Sequence, residues 1–418
     1  MDGLGVTKRD KRERFNRQVA PVLATELDFT SAPSNSPAER FAYFKRPNGF
    51  LVVAGKQEED QVELALARGL RHCEDKKLVL ALPNTHCCAT MQRAPWLTDN
   101  VRPDVYLHDG AHLLSKKPEP HKSQCETTDE LVKRLDEGTE EAVEAEFAAA
   151  TTPCHLGERS RGVAKLVEWA TKDPRLDPAH RAGARSWHCR GQRVPSIRRS
   201  RTGIHITAGV HSSGDESPNP VALQRGDELT DAALATVKGD VEEGITLRLR
   251  GALHKPDEHW LQAVIRQDPS IVGVEQPALR EVPAWRPHDT PRAWGRGLID
   301  LLGLDGHGDI RVVETKLTTN DDELFVLQGL DYYVWAKAYE KTVSKRLGAP
   351  TGARVEIHYV IGDDIRGNIQ DSQFAPVQAE GLHEAIAWRF QRVRQWFGQP
   401  DTTVRPQSQL FELRQLPW

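Results

Sequence analysis

The stretch that decides the fold of this chain is Gly297-Leu-Ile-Asp-Leu-Leu-Gly-Leu-Asp-Gly-His-Gly-Asp-Ile-Arg-Val-Val-Glu-Thr-Lys316. Two apolar, β-rich runs lie on either side of Asp305-Gly-His-Gly308. A glycine-rich turn between two such runs predicts an antiparallel hairpin. We place Leu304 opposite Ile310, and this pairing sets the partner of every other residue in the two strands.

Three charged residues occupy positions in this hairpin where core residues would be expected. In the register given above, Asp300 lies directly opposite Glu314, and strand alternation puts Glu314 and Lys316 on the face that carries Asp300. Cross-strand neighbours are roughly 4.5–5.5 Å apart at Cβ, where like charges repel. Two carboxylates on an apolar strand pair therefore need a cation between them, or one must stay protonated. A bound metal ion meets this need.

A helix is predicted on each side of the hairpin in the sequence. Upstream, Glu258-His-Trp-Leu-Gln-Ala-Val-Ile-Arg-Gln-Asp-Pro269 has apolar residues at helical spacing and a proline stop. Downstream, Gln328 and Tyr332 are four residues apart, so they lie on one helix face. The chain order is thus a helix with an early acid, strands with Asp300 and Glu314-x-Lys316, and a helix with Gln-x-x-x-Tyr.

This order resembles the PD-(D/E)xK nuclease superfamily, in its RecB-like and NucS-like branches. The NucS-like branch, of mismatch-endonuclease type, is the closer match through Ile299-Asp-Leu-Leu-Gly303 and through the Asp268-Pro269 that closes the first helix. The resemblance covers about residues 250–365, little more than a quarter of the chain. It implies a restriction-endonuclease-like αβββαβ core with a mixed sheet.

The resemblance also implies a site that hydrolyses phosphodiester bonds with one or two divalent cations. Four oxygen donors are implied as metal ligands: Glu258, Asp300, Glu314 and the carbonyl of Thr315. Oxygen ligands suit Mg²⁺ or Mn²⁺ rather than zinc. Lys316 would orient the attacking water or offset charge in the transition state, and Gln328 and Tyr332 would position the site or touch the DNA backbone. Thr315 stands where family members usually carry an apolar residue, and this departure leaves the ligand set intact.

Each of these assignments has a structural alternative. Asp300 and Lys316 could form a buried ion pair in an inactive, degenerated domain. Glu258 could be an exposed first-turn acid favoured by the helix dipole, and Asp257 is a rival for its role. The Gln-x-x-x-Tyr pair could be ordinary residues of a helix surface and a core.

Length and composition set further bounds on the chain. At 418 residues it exceeds the usual size of a single core, so two or three domains are expected. It has no run of about 18 apolar residues and no apolar signal-peptide core near its start, which predicts a cytoplasmic protein without a membrane segment.

The six cysteines show no Cys-x-x-Cys spacing, which favours reduced thiols. Cys154-His155 and His188-Cys189 could meet around zinc, although their spacing matches no known finger.

The formal net charge of −4 gives no global electrostatic case for nucleic-acid binding, so local charge must supply it. Five arginines cluster around a predicted hairpin that ends at Gly203-Ile-His-Ile-Thr-Ala-Gly209: Arg190, Arg193, Arg198, Arg199 and Arg201. Such a cluster could neutralise several phosphates and make DNA binding steeply dependent on salt. It could equally be a solvated turn, and the sequence leaves both interpretations open. If DNA is bound, Arg193, Arg198, Arg199 and Arg201 are the expected contacts.

The composition along the chain predicts five segments. Residues 1–40 form a polar arm or linker, 41–150 an α/β domain, 151–245 an α+β middle region with the arginine hairpin, 246–400 the nuclease domain and 401–418 a tail. The expected fold class is therefore α/β, with the nuclease core preceded by an N-terminal α/β unit and a small α+β region.

Several individual elements follow from local patterns. Phe50–Gly55 and Lys77–Pro83 read as buried strands with a helix between them, which predicts a parallel unit. Farther along, we predict an acidic helix at Thr128–Ala150, a strand at Gly244–Gly251 and an amphipathic helix at Gly381–Phe397. The chain has no internal repeat or low-complexity tract.

The function expected from these features is a Mg²⁺- or Mn²⁺-dependent DNA endonuclease whose N-terminal half selects the substrate or partner. Repair, restriction and defence all remain open as its setting. One alternative is a nucleic-acid-binding or sensor protein with a catalytically silent nuclease fold. Another is that the N-terminal α/β unit is a regulatory sensor that gates the nuclease. The expected partner is DNA, and a homodimer stays open.

Overall fold

The computed structural model describes residues 7–114, 160–181, 184–209, 220–250, 256–286, 295–317, 322–363, 372–397 and 407–411. Within these residues the chain is a mixed α/β protein with three sheets. No helix in this part of the chain is long and apolar enough to cross a membrane. The predicted acidic helix at Thr128–Ala150 lies outside the described residues.

A four-stranded sheet forms the base of the N-terminal unit. Its strands are β1 (Ala42–Arg46), β2 (Gly49–Val53), β3 (Lys77–Pro83) and β4 (Asp104–His108), in that order across the sheet. β1 pairs antiparallel with β2, whereas β2, β3 and β4 run parallel. The two predicted buried strands and their parallel pairing are confirmed. Their continuous apolar runs fit this arrangement because every residue of β2 is buried.

Helices cover both faces of this sheet. Helices α1 (Lys8–Gln18) and α2 (Ala20–Glu26) lie on one face, where Phe15 and Leu23 join a core that contains Phe44. These two helices belong to the folded unit. The prediction of a polar arm over residues 1–40 is therefore wrong for the described part of that range, residues 7–40. Their few apolar residues are concentrated on one side, and the many surrounding charges conceal them in the composition.

Two further helices of the N-terminal unit lie on the other side of the sheet. They are α3 (Leu64–His72) and α4 (Cys88–Arg93). Leu66 and Met91 from these helices enter a large core that also contains residues of the C-terminal unit. The N-terminal and C-terminal sheets therefore share one hydrophobic core.

The middle unit is an antiparallel sheet covered by two helices. Helix α5 (Arg161–Lys172) precedes the sheet and helix α6 (Asp231–Arg250) follows it. The five strands pair in chain order: β5 (Asp177–Arg181), β6 (Ala184–Cys189), β7 (Gln192–Arg199), β8 (Gly203–Thr207) and β9 (Val221–Gln224). Trp187, Ile197 and Val237 lie in the core between helices and sheet.

The strand predicted at Gly244–Gly251 is wrong, because residues up to Arg250 continue helix α6. Its Ile-x-Leu-x-Leu sequence alternates like a strand, but the buried residues from Val241 onward are Val241, Gly244, Ile245 and Arg248. These are spaced as on one face of a helix. Packing against the middle sheet thus overrides the local alternation.

The C-terminal unit is built on a six-stranded mixed sheet. Its strands are β10 (Leu279–Arg286), β11 (Gly295–Leu304), β12 (Ile310–Leu317), β13 (Val355–Gly362), β14 (Ala387–Arg394) and β15 (Gln407–Phe411). The first three are antiparallel, β12, β13 and β14 are parallel, and β15 is antiparallel to β14. Leu304 pairs with Ile310, and the predicted hairpin register is confirmed from this pair to Leu301 and Val313, where the paired residues end.

Helices pack on both faces of this sheet. Helix α7 (Glu258–Gln267) precedes the strands and shares a core with Val313, whereas α8 (Phe325–Ala338) follows β12 and shares a core with Val312. Shorter helices α9 (Glu340–Leu347) and α10 (Ala375–Glu380) flank β13 in the sequence. The element order is therefore one helix, three strands, a helical segment and a parallel strand.

Two predictions near the C-terminus need correction. The helix predicted at Gly381–Phe397 is instead strand β14, in which Phe390 packs with α8 and Val393 packs with α7. Its aromatic residues mimic helical spacing, but parallel pairing with β13 buries both faces. Within the predicted tail at residues 401–418, Gln407–Phe411 forms the edge strand β15.

Candidate active site

Three segments of the C-terminal unit meet at the ammonium group of Lys316, at the end of β12. Lys316 Nζ lies 3.1 Å from Glu258 Oε1 at the start of α7 and 3.4 Å from Glu314 Oε1 on its own strand. Asp322 Oδ2, just before α8, lies 3.8 Å from the same nitrogen. One cation thus gathers three carboxylates that are separated in the sequence.

The Asp300 carboxylate is fixed by three hydrogen bonds. Its Oδ2 accepts from the backbone N–H of Thr315 at 2.8 Å and from the Thr315 hydroxyl at 2.6 Å. Its Oδ1 accepts from the side-chain amide of Gln262 at 2.9 Å. Thr315 therefore orients Asp300 through a hydroxyl that an apolar residue would lack.

The side chains of β11 stop alternating regularly between the two sheet faces at Asp300. Ile299 and Leu302 both pack in the core that contains α8, although strict alternation would put residues three positions apart on opposite faces. The neighbouring strand departs from extended geometry at Glu281, which faces Asp300 and has a φ of 47°. Asp300 consequently turns toward Thr315 and α7. The prediction that it shares a strand face with the other two charged residues is wrong.

The start of α7 distinguishes Glu258 from its neighbour Asp257. Asp257 is the N-cap of the helix, and its Oδ1 accepts from the Trp260 backbone N–H at 2.9 Å and from Arg248 Nη2 at 2.8 Å. Glu258 instead points to Lys316. Of the two acids, the structure brings Glu258 to the site.

The middle unit directly contacts the first turn of helix α7. Arg190 and Gly191 form the two-residue turn between β6 and β7, with φ values of 45° and 79°. The Arg190 guanidinium lies 4.0 Å from the centroid of the Trp260 ring, and Gly191 is so close to the His259 carbonyl that a Cβ atom would not fit. A positive φ together with this close approach requires glycine there.

Burial and mutual repulsion govern the charges of the acids. Burial raises the pKa of Asp300 to about 6, against the hydrogen bonds from Thr315 and the charge of Lys316. Burial, and then the charge of Asp300, hold the pKa of Glu314 well above its usual range. Burial alone would lower the pKa of Lys316, but Glu314, Glu258 and Asp300 raise it. The site is therefore short of positive charge when both buried acids ionise.

One oxygen of Glu314 has no partner among the described residues. Glu314 is 3% exposed, and its Oε2 is buried without a hydrogen bond to any of them. In the described ranges, no three His, Cys, Asp or Glu side chains are arranged as a ready-made metal site. Lys316 lies between Glu258 and Glu314 and supplies the positive charge in this arrangement.

The helix that follows the hairpin carries the predicted Gln-x-x-x-Tyr pair. The Tyr332 ring packs against Gly297, three residues before Asp300, where a Cβ atom would collide with it. The side-chain oxygen of Gln328 is buried without a hydrogen bond to a described residue. Both residues thus face inward, and Tyr332 lies against the strand that carries Asp300.

The sequence analysis did not identify two residues of the site, Gln262 and Asp322. Gln262 lies four residues after Glu258, so helical spacing was a usable signal for it. Asp322 carries no such signal, since it reaches Lys316 only through the course of the chain between β12 and α8.

The predicted arginine contacts lie apart from this cluster. Arg193, Arg198 and Arg199 are exposed on β7, and Arg201 is exposed in the turn that follows. Arg190 is the exception, because it stacks on Trp260. Of the cysteines, Cys73, Cys87, Cys88 and Cys189 form no disulfide with a described residue, and the Cys154-His155 half of the zinc alternative lies outside the described residues.

Comparisons of the chain with protein-family models, curated proteins and solved structures found no match. No matched relative therefore supplies a fold, a ligand or an activity for this chain. Its function is inferred from the geometry of the site and from the motif that the site contains.

Proposed function

We propose that this protein is a Mg²⁺- or Mn²⁺-dependent endodeoxyribonuclease with a restriction-endonuclease-like core. One observation carries the proposal: Glu258, Glu314 and Lys316 converge beside Asp300 at the end of a hairpin that has a helix on each sheet face. Folding alone gives no reason to gather three acids and a lysine at the edge of an apolar core, with Glu314 fully inside it. The catalytic residues are Asp300, Glu314 and Lys316.

The side chains of the site fit a hard divalent cation. Glu258, Asp300 and Glu314 offer carboxylate oxygens, Thr315 offers its carbonyl, and the buried Glu314 Oε2 lacks any other partner among the described residues. A bound Mg²⁺ or Mn²⁺ would lower the pKa of a coordinated water and stabilise charge on the scissile phosphate.

The protein's own groups do the remaining work. Thr315 and Gln262 hold Asp300 in one orientation, so its carboxylate does not reorganise during the reaction. Lys316 is held protonated by its acidic neighbours, and its ammonium offsets the negative charge that develops at the phosphate. Gln328 and Tyr332 support the strand that carries Asp300, and the surface arginines of β7 contact the DNA backbone.

The competing function is a silent nuclease fold that binds nucleic acid. It is favoured by the contacts of Lys316, because an ammonium between Glu258 and Glu314 already offsets part of their negative charge without a metal. The two functions differ in one measurable respect, since only the nuclease converts DNA to product.

The decisive experiment incubates the full-length protein with supercoiled plasmid, single-stranded DNA and mismatched duplexes in Mg²⁺, Mn²⁺ or EDTA. We expect nicked or linear product with either metal and none in EDTA. Binding of the same DNA without product under every condition would support the silent fold.

A second prediction concerns stability against pH in EDTA. The pKa of Asp300 is raised to about 6 in the folded state, so its stabilising contribution is present below pH 3.8 and is lost as pH rises through 6. Asp300→Asn should therefore stabilise the metal-free protein by about 1–3 kcal/mol at pH 7.5 and by much less at pH 4. Chemical denaturation at both pH values measures the difference.

Mn²⁺ should reverse the order of stability, so that wild type becomes more stable than a variant that lacks the acids. A cation that binds only the folded state adds about 2.7 kcal/mol at a hundredfold excess over its dissociation constant. Wild type should gain this stabilisation, and an Asp300→Asn, Glu314→Gln double variant should not. Glu258→Gln is the matched single change at the edge of the site. If that variant keeps the full Mn²⁺ shift, Glu258 is not a ligand.

A further inference from the structure

Four exposed arginines lie at one end of the middle sheet, with Arg198 and Arg199 on opposite faces of β7 because consecutive strand residues alternate. Arg198 and Arg199 end β7, Arg201 lies in the turn to β8, and Arg225 follows β9. The Arg225 backbone N–H donates to the Thr202 carbonyl at 3.0 Å, which places Arg225 beside that turn. We name this set, Arg198, Arg199, Arg201 and Arg225, the distal arginine cluster.

The guanidinium groups of this cluster have no partner among the described residues. None of them forms an ion pair or hydrogen bond there, although most of the buried arginines are paired, such as Arg93 with Asp331 and Arg248 with Asp257. One acid lies close to the cluster, since Asp227 Oδ2 accepts from the Gln224 backbone N–H at 2.8 Å beside Arg225. Four unpaired guanidinium groups still outnumber it and create a local positive potential, which suits an anionic partner.

The neighbouring sheet surface is polar. Arg198 pairs across the strands with His205, and the hydroxyls of Ser196 and Thr207 lie 2.7 Å apart on the same face. Such a surface of hydroxyls and guanidinium groups matches the donors that contact phosphate oxygens.

The middle sheet connects the distal arginine cluster to the start of the helix that carries Glu258. Strand β7 begins directly after the Arg190-Gly191 turn, which is seated on His259, the residue next to Glu258. Asp177 of β5 adds ion pairs to Arg280 and, at 3.5 Å, to Arg266 of α7. With a rise of about 3.3 Å per residue, the strand places Arg198 about 20 Å from this anchor.

We propose that the distal arginine cluster grips the phosphate backbone of a DNA duplex about six base pairs from the scissile bond. The estimate divides about 20 Å by the roughly 3.4 Å rise per base pair. This inference rests on the proposed nuclease function and adds to it Arg225 and a minimum length of substrate. Duplexes too short to span both points can reach only one of them.

The test measures binding of a fluorescein-labelled 24-base-pair duplex by anisotropy in EDTA over a range of KCl. An Arg198→Ala, Arg199→Ala, Arg201→Ala, Arg225→Ala variant should bind this duplex at least tenfold more weakly than wild type. Its log–log salt slope should fall by about 0.9 for each phosphate that the variant no longer neutralises.

The matched control removes four exposed charges from helix α1: Arg9, Lys11, Arg14 and Arg17. It should bind like wild type, and an equal weakening in both variants would reduce the effect to net charge and overturn the proposal. Competition by polyglutamate as strong as by DNA of equal charge would overturn it in favour of an acidic protein partner. Absence of cleavage with intact cluster-dependent binding would refute the proposed nuclease function alone.

Discussion

Glu314→Gln is expected to abolish metal-dependent DNA cleavage, with a loss of about a thousandfold or more. The amide keeps the volume of the side chain but removes the charge that a divalent cation and Lys316 both require. Asp300→Asn should give a comparable loss, and Lys316→Ala a loss of about a hundredfold to ten-thousandfold. Initial rates on supercoiled plasmid in Mn²⁺ measure all three.

Loss of folding must be separated from loss of chemistry in these variants. The amide variants remove a buried, repelled carboxylate, so their melting temperatures in EDTA should equal or exceed that of wild type. Glu275→Gln is the matched control, because it removes one exposed carboxylate from the same unit and should cleave normally. Cleavage at the wild-type rate by Glu314→Gln would refute the assignment of the site.

The second large effect is on stability and arises at Arg93. This side chain is fully buried, and its Nε and Nη2 donate to the two oxygens of Asp331 at 2.8 and 2.7 Å. Nη2 also donates to Glu63 at 3.0 Å. Arg93→Met should lower the free energy of unfolding by about 3–5 kcal/mol, because it leaves the carboxylate of Asp331 buried without its partner.

The control uses another arginine that joins the same two units. Arg68 also binds Glu323 bidentately, at 2.7 Å for both bonds, but both side chains are over 20% exposed. Arg68→Met should therefore cost less than half as much. A second variant, Arg93→Met with Asp331→Leu, should recover much of the stability. Equal losses for Arg93→Met and Arg68→Met in urea denaturation would contradict the role of burial.

Local sequence was sufficient for the hairpin and for the first helix of the C-terminal unit. The Asp305 side chain accepts from the N–H groups of His307 and Asp309, so residues within the turn close it themselves. Helix α7 likewise carries its own N-cap, Asp257, and its own proline stop, Pro269. Contacts between residues close in the chain are visible in the sequence.

Other features depend on partners that are distant in the chain. Asp331 and Arg93 are 238 residues apart, and neither residue type indicates the pairing. The sequence predicts a strand at the end of α6 and a helix at β14. Both predictions are wrong because burial against neighbouring strands and sheets outweighs the local spacing of apolar residues. The turn of Asp300 toward Thr315 depends on irregular backbone at Glu281 in another strand, which alternation rules do not anticipate.

The core that the N-terminal and C-terminal sheets share has a consequence for synthesis on the ribosome. Helix α8, which fills this core, follows β4 by more than two hundred residues. At a translation rate of about 5–20 residues per second, the apolar side of α3 and α4 stays uncovered for about 10–40 s. During that interval the nascent chain presents Leu66 and Met91 to solvent, to chaperones and to other nascent chains, and its N-terminal unit completes its packing only when α8 emerges.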